Sequence, residues 1–176
     1  MVCKTYTIPA GNLDGNHKKL FTGQLPTRLV IGRVDNDAFN GRYTKNPYNF
    51  TNFALSEISI HHDVSQPIRP LKPNYAGRQH IQEFMRLFCG TGKENRNEGN
   101  TIAREDYPRG YALYAFDLSP DLAEEGHINL AKQGTVRVEL KFWAALPNTV
   151  TVVAYAEFEN VIEIDRNRNV IYDFGS

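Results

Sequence analysis

Thr135-Val136-Arg137-Val138-Glu139-Leu140-Lys141-Phe142-Trp143 alternates without a break: Val136, Val138, Leu140 and Phe142 fall on one side, and Arg137, Glu139 and Lys141 on the other. After Leu146-Pro147-Asn148 the pattern returns in Thr149–Phe158, with Val150, Val152, Ala154, Ala156 and Phe158 in phase. A period of two sends successive side chains to opposite faces, which marks a half-buried β-strand. The short Pro-Asn connection predicts that the two strands form an antiparallel hairpin. No catalytic signature elsewhere is comparably clear, so architecture is the chain's strongest message.

Outward from this pair, further strands are expected at Lys4–Ile8, Thr27–Val34, Phe53–His62 and Tyr111–Leu118. In Phe53–His62, Ile58 and Ile60 share one face and Glu57, Ser59 and His61 the other. In Tyr111–Leu118, Ala112, Tyr114 and Phe116 oppose Leu113 and Ala115. Shorter extended pieces are expected at His127–Leu130, Val161–Ile164 and Val170–Tyr172. Pro9 and the Gly-Asn-rich run through Asn16 stop the first strand, and Pro67, Pro70 and Pro73 argue against regular structure before Asn74. One helix is expected over Tyr75–Cys89, where Ile81, Phe84, Met85 and Phe88 make an apolar stripe that ends at Gly90 and Gly92. Ser119-Pro120-Asp121-Leu122 reads as a short helix start, and Lys93–Arg104 as an exposed polar loop. About eight strands with one helix in a long connection predict an all-β fold, an antiparallel jelly-roll β-sandwich, as a single domain over 1–174. Gly175-Ser176 reads as a non-native tail.

Twenty Lys and Arg balance twenty Asp and Glu, and no basic run forms an arm. Phosphate binding needs a basic excess, so direct nucleic-acid binding through a basic patch is not expected. No apolar stretch approaches a membrane span, and the first residues lack the apolar core of a signal peptide. Cys3 and Cys89 are the only cysteines and read as reduced thiols of a cytosolic or nuclear protein rather than a disulfide. The Asn49-Phe50-Thr51 sequon carries little weight without a secretion signal.

The candidate chemistry is thin. His61 and His62 are adjacent on a strand, so they point to opposite faces and do not readily share one metal. Glu157 and Glu159 share a face but read as a solvated or ion-paired strand surface, and Glu124-Glu125 likewise, rather than as a glycosidase pair. Cys89 sits at a helix C-terminus, where the helix dipole does not activate a thiol. Gly90-Thr91-Gly92-Lys93 follows a helix rather than a strand, the wrong geometry for a phosphate loop. No catalytic residue, metal or cofactor is assigned. The long segment Asp35–Asn52 is more informative. It carries Phe39, Tyr43, Tyr48 and Phe50, which suit a contact with a neighbouring subunit or, alternatively, stacking on sugars in a lectin-like sandwich.

Several segments carry a family resemblance: Asn46-Pro47-Tyr48-Asn49-Phe50, Pro70-Leu71-Lys72-Pro73-Asn74-Tyr75, Arg104-Glu105-Asp106-Tyr107-Pro108-Arg109-Gly110-Tyr111, Phe116-Asp117-Leu118-Ser119-Pro120-Asp121 and Val153-Ala154-Tyr155-Ala156-Glu157-Phe158-Glu159-Asn160. In that order they resemble the C-terminal part of the hexon-like, double jelly-roll major capsid proteins of adintoviruses and Maverick/Polinton elements, from about Leu20 to Tyr172. The resemblance implies a structural protein that self-assembles as a homo-oligomer, in that group a trimeric capsomer, together with other capsid proteins. It also implies location in a virion assembled in the host nucleus or cytoplasm. The chain departs from the family in having length for one roll, which puts the trimer in doubt. Near-neutral charge suits the approach of like subunits. The rival expectations are the lectin-like module and a jelly-roll enzyme with a metal near His61 or His62.

Overall fold

The computed structural model describes residues 1–62, 68–93, 101–118, 133–159 and 162–172. The helix expected at Ser119–Leu122, the strand at His127–Leu130, most of the Lys93–Arg104 loop and the Gly175-Ser176 tail lie outside these residues. The elements run β1 (Val2–Ile8), β2 (Asp14–Gln24), β3 (Arg28–Asp35), α1 (Asn36–Phe39), β4 (Phe50–Thr51), β5 (Leu55–His62), β6 (Ile68–Leu71), α2 (Ile81–Cys89), β7 (Arg109–Gly110), β8 (Tyr114–Asp117), β9 (Gln133–Phe142), β10 (Val150–Glu157), β11 (Ile162–Ile164) and β12 (Val170–Tyr172).

Two four-stranded sheets form the body, in the orders β1-β10-β3-β8 and β2-β9-β5-β6. The pairing is nested: β1 with β10, β2 with β9, β3 with β8, and β5 with β6, all antiparallel. Such nesting is one long antiparallel ribbon folded back on itself and wound so that its strands alternate between two sheets. The fold is a jelly-roll β-sandwich. Two short ribbons, β4 with β7 and β11 with β12, accompany it.

The inner faces are mainly apolar. Leu29 and Ile31 of β3, Ile58 and Ile60 of β5, Val138 and Leu140 of β9, and Val152, Ala154 and Ala156 of β10 are fully buried in one cluster. Each fully buried Val, Leu or Ile is worth roughly 1.5–3 kcal/mol relative to exposure. A smaller cluster of Leu87, Tyr107 and Ala115 lies outside the first sheet, where α2 packs near edge strand β8. Gly90 permits this approach, since a Cβ there would lie 2.8 Å from the Ala115 Cβ.

Four expectations are corrected. Residues 135–158 are not a hairpin: β9 pairs with β2 and β5, whereas β10 pairs with β1 and β3. The turn through Pro147 carries the chain from one sheet to the other, so alternation identified the buried faces but not the partners. Strand β2 was not expected, because a register shift between His17 and Phe21 breaks its period. Strand β6 forms despite Pro70, because it is an edge strand and a missing N–H there costs no ladder bond. Helix α2 starts at Ile81, and its buried residues are Glu83 and Leu87. Ile81 and Met85 of the expected stripe are exposed, while Phe84 and Phe88 are half-buried.

Candidate functional site

The register places the ends of β1, β3, β6 and β9 beside the starts of β2, β5, β8 and β10. The connections 9–13, 36–54 and 143–149, with the flanks 72–75 and 111–113 of the fourth, therefore gather at one end of the sandwich. Backbone hydrogen bonds tie them together. Gly11 N–H donates to Leu146 O (2.8 Å) and Leu146 N–H to Asn12 O (3.0 Å); Asn36 N–H donates to Thr149 O (3.0 Å), Trp143 N–H to Ala54 O (2.9 Å) and Ala112 N–H to Phe50 O (2.9 Å).

The long connection after β3 is anchored by Asp35. Its carboxylate accepts from Asp37 N–H at 2.9 Å and caps α1. It also accepts from Lys45 Nζ at 2.8 and 2.9 Å. Partial burial alone would raise the Asp35 pKa, but the Lys45 bond and the two backbone donors outweigh it, so the carboxyl titrates below its ordinary value. Asp37 pairs with Arg42 at 2.9 Å, which pins the same loop.

Half of the large exposed apolar side chains among the described residues belong to these connections. Tyr43 is 106% exposed, Tyr48 76% and Trp143 71%, with Phe39, Leu13 and Tyr111 also exposed. Phe39, Tyr43 and Tyr48, named from sequence, are exposed on the connection after β3, while Phe50 is half-buried and lays its ring over Gly32 of β3. Trp143, the chain's one tryptophan, was overlooked, although its position in phase with Arg137, Glu139 and Lys141 places it on the outward face.

The histidine neighbourhood is built differently. His61, on the outer face of the second sheet, has Nε2 3.3 Å from Ser59 Oγ and 3.3 Å from Glu139 Oε2. Arg137 also reaches Glu139, at 3.2 Å. Hydroxyl, imidazole and carboxylate meet here, but both contacts fall on the same ring nitrogen, whereas a proton relay needs opposite ones. His62 points to the other face. No group of three or more potential metal ligands occurs among the described residues. Glu157 pairs with Arg28 at 3.1 Å. Cys3, on β1, and Cys89, at the end of α2, are not joined by a disulfide. No helix among the described residues is long and apolar enough to cross a membrane.

A buried polar group escaped sequence reading altogether. Arg33 is fully buried on the inner face of β3, and its Nη2 donates to Tyr114 Oη at 2.9 Å. The hydroxyl of Tyr75, from the connection after β6, meets that of Tyr114. His80 stacks between Tyr75 and Tyr107, with centroids 5.4 and 6.1 Å away, and Tyr107 Oη donates to Leu113 O at 2.7 Å. Burial raises the pKa of Tyr75, Tyr107 and Tyr114, with Arg33 opposing it in each case. Burial likewise lowers that of His80 and raises that of Glu83. All three tyrosines therefore stay neutral hydrogen-bonding groups. The signal was available, since Arg33 is in phase with Leu29 and Ile31.

The chain is a jelly-roll domain whose chemistry-bearing groups are largely committed to one another and whose exposed rings collect at one end. No family model matches it. It is similar to an uncharacterized protein, F54H12.2, of Caenorhabditis elegans, with 28% identity over 174 residues, covering 97% of this chain and 42% of that protein. It is also similar to a chain in the crystal structure of the STIV MCP, a viral major capsid protein, with 15% identity and a TM-score of 0.37, covering 88% of this chain and 40% of that one. The chain thus spans well under half the length of either. The jelly-roll assignment rests on the strand order itself rather than on this likeness.

Proposed function

We propose that the protein is a structural jelly-roll unit of a capsid-type particle, of the hexon-like kind found in adintoviruses and Maverick/Polinton elements, and that it works by self-assembly rather than catalysis. The observation that carries this reading is the braced loop end with Phe39, Tyr43, Tyr48 and Trp143 on its surface. Aromatic side chains supply large contact area with few rotatable bonds, and a loop platform already tied together loses little further entropy on docking. Zero net charge adds no strong repulsion between copies. In a double-roll subunit this domain would supply one roll, and the 42% share of the longer relative that it matches fits such a partition.

Solution mass measurement beside electron microscopy of the purified protein tests the reading. Trimers or closed shells are expected, and a monomer at every concentration counts against it. The exposed rings of Tyr43 and Trp143 also favour, second, a lectin-like module that stacks aromatics on sugars. Hits on a glycan array would move the assignment there.

A further inference from the structure

Arg33 sits between the two sheets with no exposed surface. Its guanidinium carbon lies 5.0 Å from the centroid of the Tyr114 ring and 5.8 Å from that of Phe142. Among the described residues, the one hydrogen bond it makes is from Nη2 to the Tyr114 hydroxyl. Among the described residues, Nε and Nη1 are buried with no hydrogen-bond partner, and no ion pair engages the guanidinium.

A second unmatched group lies on the same inner face. Tyr6 of β1 opposes Val152, and Val152 opposes Arg33, so all three point to the same inner face. The Tyr6 hydroxyl is also buried without a hydrogen-bond partner among the described residues. Its ring is held by stacking on His17, with centroids 4.5 Å apart and planes 17° from parallel. The charge of Arg33 acts on Tyr6 while burial keeps the phenol protonated, so the hydroxyl keeps its proton to donate.

A buried cation needs both hydrogen-bond acceptors and opposite charge. A water molecule would satisfy the donors but leave the charge met only by the ring faces of Tyr114 and Phe142. A small anion does both, and the apolar walls of Val152 and Phe142 favour a weakly hydrated monatomic ion over an oxyanion. We propose that Arg33 and Tyr6 form an internal site for a monovalent anion of the halide class, held between the sheets by Nε–H and Nη1–H of Arg33 and the hydroxyl of Tyr6.

Bromide is the probe. Exchanging sodium methanesulfonate for sodium bromide at fixed ionic strength should raise the Tm of the intact chain in a saturating way, by about 5–10 °C at a hundredfold excess over Kd. Bromide is otherwise a mildly destabilising salt, so a rise is diagnostic. Arg33→Met, which removes charge and donors together, should abolish the rise, and Tyr6→Phe should weaken it. Should Arg33→Met fail to fold, bromide-soaked crystals of the wild type decide: an anomalous peak within hydrogen-bonding distance of Arg33 Nε or Nη1 is expected. No bromide dependence of the wild-type Tm, equal dependence in Arg33→Met, or a water molecule in that position would overturn the proposal.

Discussion

Phe50 lays its ring against the backbone of Gly32 so closely that a Cβ on Gly32 would sit 2.7 Å from Phe50 Cδ1. Strand β3 carries no side chain where the long connection folds back over the first sheet. Leu113 Cδ2, at 2.9 Å, closes the other side of the gap. Gly32→Ala is therefore an overpacking change, expected to cost about 1–3 kcal/mol in urea unfolding. In a Phe50→Ala background the cost should shrink, with a coupling of about 0.5–3 kcal/mol. Additive effects would show that Phe50 is not the obstacle.

The Tyr75–Tyr114–Arg33 chain makes a second prediction. Tyr75→Phe removes one hydroxyl and leaves Tyr114 still bonded to Arg33, for a loss of about 1 kcal/mol. Tyr114→Phe strips the partner from both the Tyr75 hydroxyl and Arg33 Nη2, and should cost more, about 2–4 kcal/mol. Equal losses in the two variants would mean that the hydroxyls do not act as a series.

Glu83 faces inward on α2, where burial raises its pKa above the ordinary 4.5 while Arg86 opposes the shift. The folded-state value is the higher one. The stability contribution is therefore fully present below the unfolded-state pKa, where the carboxyl is neutral in both states, and is lost as pH rises through the folded-state pKa. Glu83→Gln should be more stable than wild type at pH 7, and the difference should vanish below about pH 4.5. A variant less stable at pH 7 would show that the carboxylate is stabilising where it lies.

What sequence discloses here is parity, and what it hides is partnership. Val136, Val138, Leu140 and Phe142 are inside as their alternation implies, and Trp143 is outside for the same reason. Parity is a local property of one strand. The partners of β9 lie far away in sequence, in β2 and β5, and nothing in residues 135–158 distinguishes a hairpin from a crossover between sheets. Strand β2 was hidden by its register shift, and β6 by a proline that only an edge position tolerates. Arg33 shares parity with the core residues Leu29 and Ile31, yet a charged side chain is ordinarily assigned to the surface. The surface of the loop end was half legible. Tyr43 and Tyr48 stood out in a polar segment, but Trp143, Leu13 and Tyr111 join them only through the convergence of four connections.

The convergence sets the final prediction. Tyr43, Tyr48 and Trp143 are exposed and make no part of either buried cluster, so replacing each by Ser should change unfolding stability by no more than about 0.5 kcal/mol per site. If this end is where copies meet, the triple variant should run as a folded monomer under conditions in which the wild type forms oligomers, because truncating central aromatic anchors removes most of an interface's energy. Tyr155→Ser serves as the control. That residue is exposed toward the far end of β10 from Val150, opposite Cys3 and Val30, and its loss should leave assembly intact. Oligomers that persist in a triple variant of unchanged stability would place the contact elsewhere on the roll. A triple variant that unfolds would show that these rings support the loops instead.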